Sequence, residues 1–467
     1  MSPSIALIGT LSIIAGLFWL ERDPNAKPSW AFCIPMLWLL INGSRPISMW
    51  LNMSPTMDSP DDALDGSPID ALAYGIILVA AFVVASRRRP QIGAFLRANG
   101  PMVAFFVYCA ISLLWSDFPF VGLKRWIKAV GEMAMIMILL TDPYRDVAIK
   151  RMFAWIGFLL VPLSIWAIKY YPDIGRGYDR WDGHIYNIGV TTNKNLLGMI
   201  CLVVGLVALW RFLQAYRSEK TPVRTRQLIA HGSLTVMVVW LLSIADSATS
   251  LSCFVFASGI MVATSFFNFA RRRTMLHLMV VLVISVACSA LFFSIGSGAL
   301  ETLGRNSTLT GRTEIWSLVL GMVQNPVFGT GYENFWLGSR LEQVWSVYWF
   351  HLNEAHSGYI EVFLNLGWVG IMLLAIMIFT AYREIINSFQ HDFYTAQLRL
   401  ALLVTALIYS LTEAGFRMMS PVWFVCLLAA ASAPRLRARA VVRQRISKFG
   451  VVPMPGNAVR GGGTDRG

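Results

Sequence analysis

The sequence predicts an all-helical integral membrane protein, a polytopic bundle of about 12 to 13 transmembrane helices with one large loop on its outer face. Three observations predict this. Of the 467 residues, 56% are hydrophobic and only 14% are charged, where a soluble domain carries about a quarter charged residues. Apolar runs close to the ~20 residues that cross a hydrocarbon core recur along most of the chain. The basic residues gather in short connections between those runs, as they do on the cytoplasmic side of a membrane protein.

The apolar stretches fall at about 4–20, 29–41, 68–85, 101–115, 126–140, 152–170, 195–213, 228–245, 249–268, 275–293, 358–380, 399–413 and 419–433. The second and the last are short, so one of them is expected to be tilted or re-entrant. Together these stretches make a membrane domain over 1–433. Residues 434–467, rich in arginine and ending in "GNAVRGGGTDRG", read as a basic, disordered cytoplasmic tail. The N-terminus lacks the basic n-region of a signal peptide, so the first apolar stretch reads as an uncleaved span.

The net charge of +13 does not imply nucleic acid. "SRRRPQ" (Arg87 to Arg89), "FARRRT" (Arg271 to Arg273) and "PRLRARAVVRQR" supply much of it, and they suit a cytoplasmic face with its anionic lipids. Placing them inside puts segments 42–67, 116–122, 171–194, 294–357 and 414–418 outside, with the N-terminus. The six cysteines (33, 109, 201, 253, 288 and 426) lie in apolar stretches without CxxC spacing, so neither disulfides nor a metal site is expected. No HExxH, P-loop or GxGxxG is present, so nothing asks for a metal, a nucleotide or another cofactor.

The outer segments carry charge that orientation bias does not explain. Segment 42–67 is acidic, with "MDSPDDALDGSPID", while 171–194 and 294–357 hold Arg176, Arg180, Lys194, Arg305, Arg312 and Arg340. Solvated surface charge is the plain reading; a cluster beside the membrane is better explained by an anionic ligand. The long outer loop is polar until "TEIWSLVLGMVQNP", where Ile315, Trp316, Val319, Leu320 and Val323 stand at helical spacing and Asn325-Pro326 ends the run. This helix is too short to span. Thr310 or Thr313 would cap it, and Gly311 would let the backbone turn. Arg312 would then stand in the first turn, an arrangement suited either to a phosphate or to plain surface charge.

Further along, Gly329 and Gly331 make a turn in "NPVFGTGYENF", followed by "HLNEAHSGYIEVFLNLGWVG", which runs into a span. His356 stands at that membrane boundary with Glu354 before it and Glu361 after it, and Glu361 is expected to face the cavity. A histidine at an interface commonly serves as a polar anchor. Beside carboxylates, and in one loop with an arginine, it is also a candidate acid or base. His231 and His277, near span ends, read as structural, and His184 is a minor external candidate.

These residues resemble a known family. "LTGRTEIW", "NPVFGTGYENF" and "AHSGYIEVFLNLGWVG" resemble the signature loop of the O-antigen ligase and polymerase superfamily, and "LGRNSTLTGRTEIW" is most similar to its exopolysaccharide-polymerase branch. "SLLWSDFP" (112–119) resembles the family's early Trp-Ser element, and "GVTTNKNLLG" (189–198) its Lys-Asn-x-x-Gly element. The resemblance runs from about residue 112 to 370. It implies a membrane glycosyltransferase of the GT-C-like type in the bacterial inner membrane. Such an enzyme moves a glycan from undecaprenyl pyrophosphate to an acceptor hydroxyl without metal or nucleotide sugar.

Carried onto this sequence, Arg312 matches the loop arginine and would stabilise the leaving pyrophosphate. His356 matches the loop histidine and would orient or deprotonate the acceptor, with Glu361 beside it. Lys194, Arg305, Arg180, Asn195 and Gly311 are the implied substrate-binding residues. Two departures stand out: "SIADSATSLS" lacks the family's cation beside Asp246, a charge Lys194 could supply, and the family's His-Asn pair is His356-Ser357 here.

The reaction expected is polymerisation of undecaprenyl-pyrophosphate-linked oligosaccharide repeats into exopolysaccharide, in contact with inner-membrane lipids and with chain-length and export proteins as possible partners. The alternatives are a ligase that caps lipid A-core or a protein with finished glycan, and a non-enzymatic flippase, whose pointers would be Asp246 and Glu132 within or near spans.

Overall fold

The computed structural model describes residues 2–22, 28–54, 66–178, 183–292 and 309–434. One-turn pieces aside, its helices are α1 (Pro3–Glu21), α2 (Cys33–Asn42), α3 (Pro68–Arg87), α4 (Arg89–Ala98), α5 (Gly100–Ile111), α6 (Pro119–Leu140), α7 (Arg145–Tyr170), α8 (Lys194–Tyr216), α9 (Pro222–Ile244), α10 (Ala248–Phe266), α11 (Arg273–Phe292), α12 (Leu309–Gly321), α13 (Gly338–Val347), α14 (Gly358–Ser388), α15 (Phe393–Thr412) and α16 (Pro421–Ala430). Between α7 and α8 the strands β1 (Arg176–Tyr178) and β2 (Ile185–Asn187) pair antiparallel.

Each apolar stretch of the sequence falls on a helix, but the span count is lower than expected. Among the described residues eight helices are long and apolar enough to cross a membrane, or nine if α4 and the bent continuation Gly100–Trp115 are one broken span. Trp30–Asn42, Arg273–Ser289 and α16 are apolar but shorter. α6 has the length, but Lys124, Arg125, Lys128 and Glu132 interrupt its apolar surface. Helix starts are set by local chemistry: Ser67, Asn193, Thr221 and Asp392 each accept a backbone N–H of the first turn, and α1, α3, α6, α9 and α16 open on proline.

Burial separates centre from rim. In α8 and α15, 78% of the apolar window is buried, against 17% in α1 and α3, so α8 and α15 form the middle of the bundle and α1 and α3 face lipid. Polar contacts sort onto two sides. Arg45 donates to the Ile174 carbonyl, Arg340 pairs with Asp117 at 2.8 Å and Arg125 donates to the Glu333 carbonyl. The first two contacts join segments expected outside, and the third ties the start of α6 to the outer loop. Arg88–Asp142 at 3.1 Å and Arg211–Glu21 at 3.0 Å lie at the opposite ends of their helices. His231, expected to be structural, is buried against Glu21 at 3.0 Å.

The outer loop folds around its own small core. Ile315 and Val319 of α12 pack with Phe335, Trp336, Leu341, Val344 and Leu364. The loop is fastened to a break in α14. At Gly367 the backbone turns to φ 62°, ψ −163°, and the groups freed there are met by loop 326–331. Thr330 and Gly331 donate to the Leu364 and Asn365 carbonyls, and Trp368 and Val369 donate to Pro326 and Val327. Backbone released from a membrane helix must find such partners. A Cβ on Gly367 would lie 2.3 Å from the Val327 oxygen, and one on Gly329 (φ 72°) 2.5 Å from the Asn365 backbone. The glycines of "NPVFGTG" and "NLGWVG" therefore form one joint between loop and helix.

Candidate active site

A cleft of about 540 Å³ opens between the N-termini of α8 and α14 and the C-terminus of α15. Its lining includes Lys194, Asn195, Glu354, His356, Tyr409 and Glu413, with Tyr178, Tyr186 and Phe350 as aromatic walls.

Glu413 is the hub. It is the residue on which α15 ends, and it is buried at 6% exposure. Its Oε1 pairs with Arg312 Nη2 at 2.8 Å, its Oε2 accepts from Asn195 Nδ2 at 3.2 Å, and His356 Nδ1 lies 3.6 Å from Oε2. The Gly358 N–H donates to its backbone carbonyl, tying the start of α14 to the end of α15.

His356 is held between two carboxylates. Its Nδ1 is 3.1 Å from Glu354 Oε1, and its backbone takes φ 50°, a left-handed conformation uncommon outside glycine. Burial works against a charged imidazole, but the contacts with Glu354 and Glu413 outweigh it and raise the pKa to about 10. Burial likewise opposes ionisation of Glu354, but the His356 contact and the nearby Arg417 and Arg312 bring its pKa down to about 2. At neutral pH the pair is imidazolium and carboxylate. Charge continues away from the cleft: Arg417 lies 3.7 Å from Glu354 and 3.8 Å from Glu333.

The positions of the expected site residues differ. Lys194 and Asn195 open α8 on the cleft, and Lys194 Nζ lies 2.9 Å from Asp246 Oδ2, so a lysine stands where the motif comparison left Asp246 without a cation. Arg312 does not line the cleft; it reaches it through Glu413. Gly311 lies within α12, which begins at Leu309. It makes no turn, and Thr310 and Thr313 both lie inside the helix rather than at its cap. Glu361 lies in the first turn of α14 but points to the loop core rather than the cleft: its carboxylate accepts from Trp336 Nε1 at 2.9 Å and from the Ala355 N–H at 2.6 Å. Around it are the apolar residues of that core together with Arg417 and Glu333, and its two hydrogen bonds tie the carboxylate to the loop. Arg305 and Arg180 lie outside the described residues.

Glu413, Arg417, Tyr178 and Tyr186 were not singled out from the sequence. The available signal for Glu413 was a carboxylate closing a long apolar run. Two of the motif stretches prove to support each other rather than the cleft: Ser112 accepts from the Tyr332 N–H at 2.9 Å, and Asn334 accepts from the Phe118 N–H at 3.2 Å.

Glu354, His356 and Glu413 bring their ligand atoms within 4.8 Å of one another and form the one group among the described residues able to hold a metal ion. Arg312 and Arg417 already supply positive charge to these two carboxylates.

Residues 235–375 match the family model described as O-antigen ligase, a stretch holding Arg312, His356 and the loop joint. The exopolysaccharide production protein ExoQ of Rhizobium meliloti is 23% identical over 302 residues, covering 60% of this chain and 63% of that protein. The chain thus spans somewhat less than two thirds of the length of this relative. Together with the multi-pass helical fold, these matches show a chain similar to the O-antigen ligase/polymerase-like superfamily over its second half.

Proposed function

We propose that the protein is a membrane glycosyltransferase that joins polyprenyl-diphosphate-linked oligosaccharide repeats into an exopolysaccharide at the outer face of the bacterial inner membrane. The observation that carries this reading is the cleft around Glu413, where Lys194, His356 and, behind the carboxylate, Arg312 set three cations among the carboxylates of Asp246, Glu354 and Glu413 at the membrane boundary. In the step proposed, the acceptor oxygen bonds to the anomeric carbon, the bond from that carbon to the diphosphate breaks, and its electrons leave on the diphosphate. Lys194 and Arg312 offset the charge that develops there, which favours the transition state over the ground state.

We assign His356 a role other than the acceptor base that the resemblance implies. An imidazole already protonated at pH 7 cannot accept the hydroxyl proton, so it serves as a charged donor that orients the acceptor or a phosphate oxygen. The proton goes to a carboxylate, and Glu413, which touches His356, Asn195 and Arg312 together, is the group we assign.

The ligase reading is favoured by the description of the matching family model, and uses the same chemistry on a different acceptor. For the flippase reading, Asp246 pairs with Lys194 at the outer cleft rather than within a span, while Glu132 is fully buried, accepts from the Met419 N–H at 3.0 Å through one oxygen and leaves the other without a partner. The test is turnover in proteoliposomes given lipid-linked oligosaccharide from a strain lacking this gene. Wild-type protein should release polyprenyl diphosphate and lengthen the glycan, and an Arg312→Ala variant should not. Glycan lengthening by the variant at the wild-type rate overturns the site.

A further inference from the structure

We propose that the β1–β2 hairpin and Phe350 form a pyranose-stacking subsite that holds a sugar ring of the glycan over the charged floor of the cleft. The proposal rests on the glycosyl-transfer reading above and names the part of the substrate these residues take.

The hairpin is a fixed arm. The Ile188 and Gly189 N–H groups donate to the Gly175 carbonyl at 2.9 and 3.0 Å. Arg176 Nε donates to the Ile168 carbonyl of α7 at 3.1 Å, and Asn187 Nδ2 to the Ile244 carbonyl of α9 at 2.9 Å. The arm is thus bolted to two helices and carries Tyr178 and Tyr186 to the cleft.

The ring of Tyr186 lies against its own hairpin. Gly177 pairs with Tyr186 across the strands, and a Cβ on Gly177 would come 2.6 Å from that ring. Glycine here lets the aromatic ring rest on the backbone of β1. Lys194 Nζ lies over the ring, 5.4 Å from its centroid, so the ring meets the cationic floor and a sugar ring would share its open part with Tyr178 and Phe350. Phe350 supplies another wall, packed edge-on to Tyr348. Exposure rises from the floor outward: Tyr409 is 0% exposed, Glu413 6% and Tyr178 60%.

A ring backed by its own strand beside charged groups suits one class of ligand. Pyranoses present a face of C–H bonds that packs on an aromatic ring, while their hydroxyls remain free for polar partners. A lipid tail would gain nothing from the charged floor, and a diphosphate would gain nothing from the rings. A sugar attached to a diphosphate uses both.

The test is saturation-transfer NMR on the full chain in nanodiscs. The probe is the oligosaccharide released by mild acid from the lipid-linked pool of a strain lacking the gene. Saturation should pass to the sugar ring C–H protons. Affinity should fall about tenfold in Tyr186→Ala, and similarly in Gly177→Val, which displaces the ring from behind. Tyr186→Phe should keep binding, because stacking needs the ring and not the hydroxyl. If Tyr186→Ala does not fold, Tyr178→Ala at its exposed position gives the same reading. The inference is overturned if wild-type protein transfers no saturation, if the alanine variants bind as tightly as wild type, or if Tyr186→Phe loses as much as Tyr186→Ala. These results are separate from the Arg312→Ala turnover assay, so failure of the subsite and failure of the glycosyl-transfer reading are distinguishable.

Discussion

Arg312 and Glu413, 101 residues apart in sequence, are joined by a hydrogen-bonded ion pair of 2.8 Å. The pair fastens the first turn of the outer-loop helix α12 to the end of the central helix α15. The arginine that the sequence marks for phosphate chemistry is therefore held by a carboxylate that the sequence does not mark. Charge and position are set together, because moving either residue leaves the other with an uncompensated charge in a largely enclosed place.

This coupling predicts non-additive variants. Arg312→Ala and Glu413→Gln should each lower turnover by about 10²–10³-fold, and the double variant should be little worse than either single one. Steady-state kinetics on the reconstituted single and double variants check this. Multiplied losses in the double variant would mean that the two residues act separately.

The state of His356 predicts a pH dependence opposite to that of an ordinary catalytic base. Its pKa is raised to about 10, so the stability it contributes is complete below its unfolded value near 6.5 and is lost as pH rises through about 10. Glu354 is depressed to about 2, so its share is complete above about 4.5 and is lost as pH falls through about 2. These are two ends of one interaction and count once. Thermal unfolding should show a melting temperature that declines between pH 7 and 10 in wild type, and this decline should be flatter in His356→Gln. A turnover limb near pH 6.5 that vanishes in His356→Gln would show instead that the imidazole titrates as a free base.

The loop joint predicts a stability defect away from the chemistry. Gly367→Ala would place a Cβ 2.3 Å from the Val327 oxygen at φ 62°. The cost should exceed the ~1–3 kcal/mol of backbone strain alone. Thermal unfolding in detergent should show a lower melting temperature than Gly259→Ala, a position with no neighbour in the way.

Glu361 separates positioning from catalysis. Its removal leaves the Trp336 Nε1–H and the Ala355 N–H without their acceptor, at about 1–3 kcal/mol per buried group. Glu361→Ala should lower melting temperature and folded yield, with turnover per folded molecule falling less than in Arg312→Ala. Active-site-normalised turnover decides; a loss as large as that of Arg312→Ala in a fully folded variant would give Glu361 a chemical role.

Much of the fold was legible because apolar run length and loop charge are local properties. Each of the apolar stretches became a helix, and the outer segments touch one another through Arg45 and Arg340. The span count was not legible: α6 carries four charges, of which Arg125, Lys128 and Glu132 meet Glu333, Tyr74 and Met419 on other segments, and α16 is only 10 residues long. The site was legible in part. Lys194, Asn195 and His356 meet in the cleft, because short motifs at helix starts mark where polar side chains leave the membrane. Glu413 was hidden because its role depends on α15 ending beside α8 and α14, a tertiary relationship with no spacing signal. Glu361 was read toward the cleft because its position on the helix was clear while the loop core that claims its carboxylate was not.

The most direct measurement is mass spectrometry of polyprenyl-linked glycans in a strain lacking the gene, complemented with wild type or with Arg312→Ala. The account predicts that the variant, although inserted in the membrane, leaves single repeats accumulated on polyprenyl diphosphate and makes no polymer. Polymer of normal length and yield from the Arg312→Ala strain would contradict it.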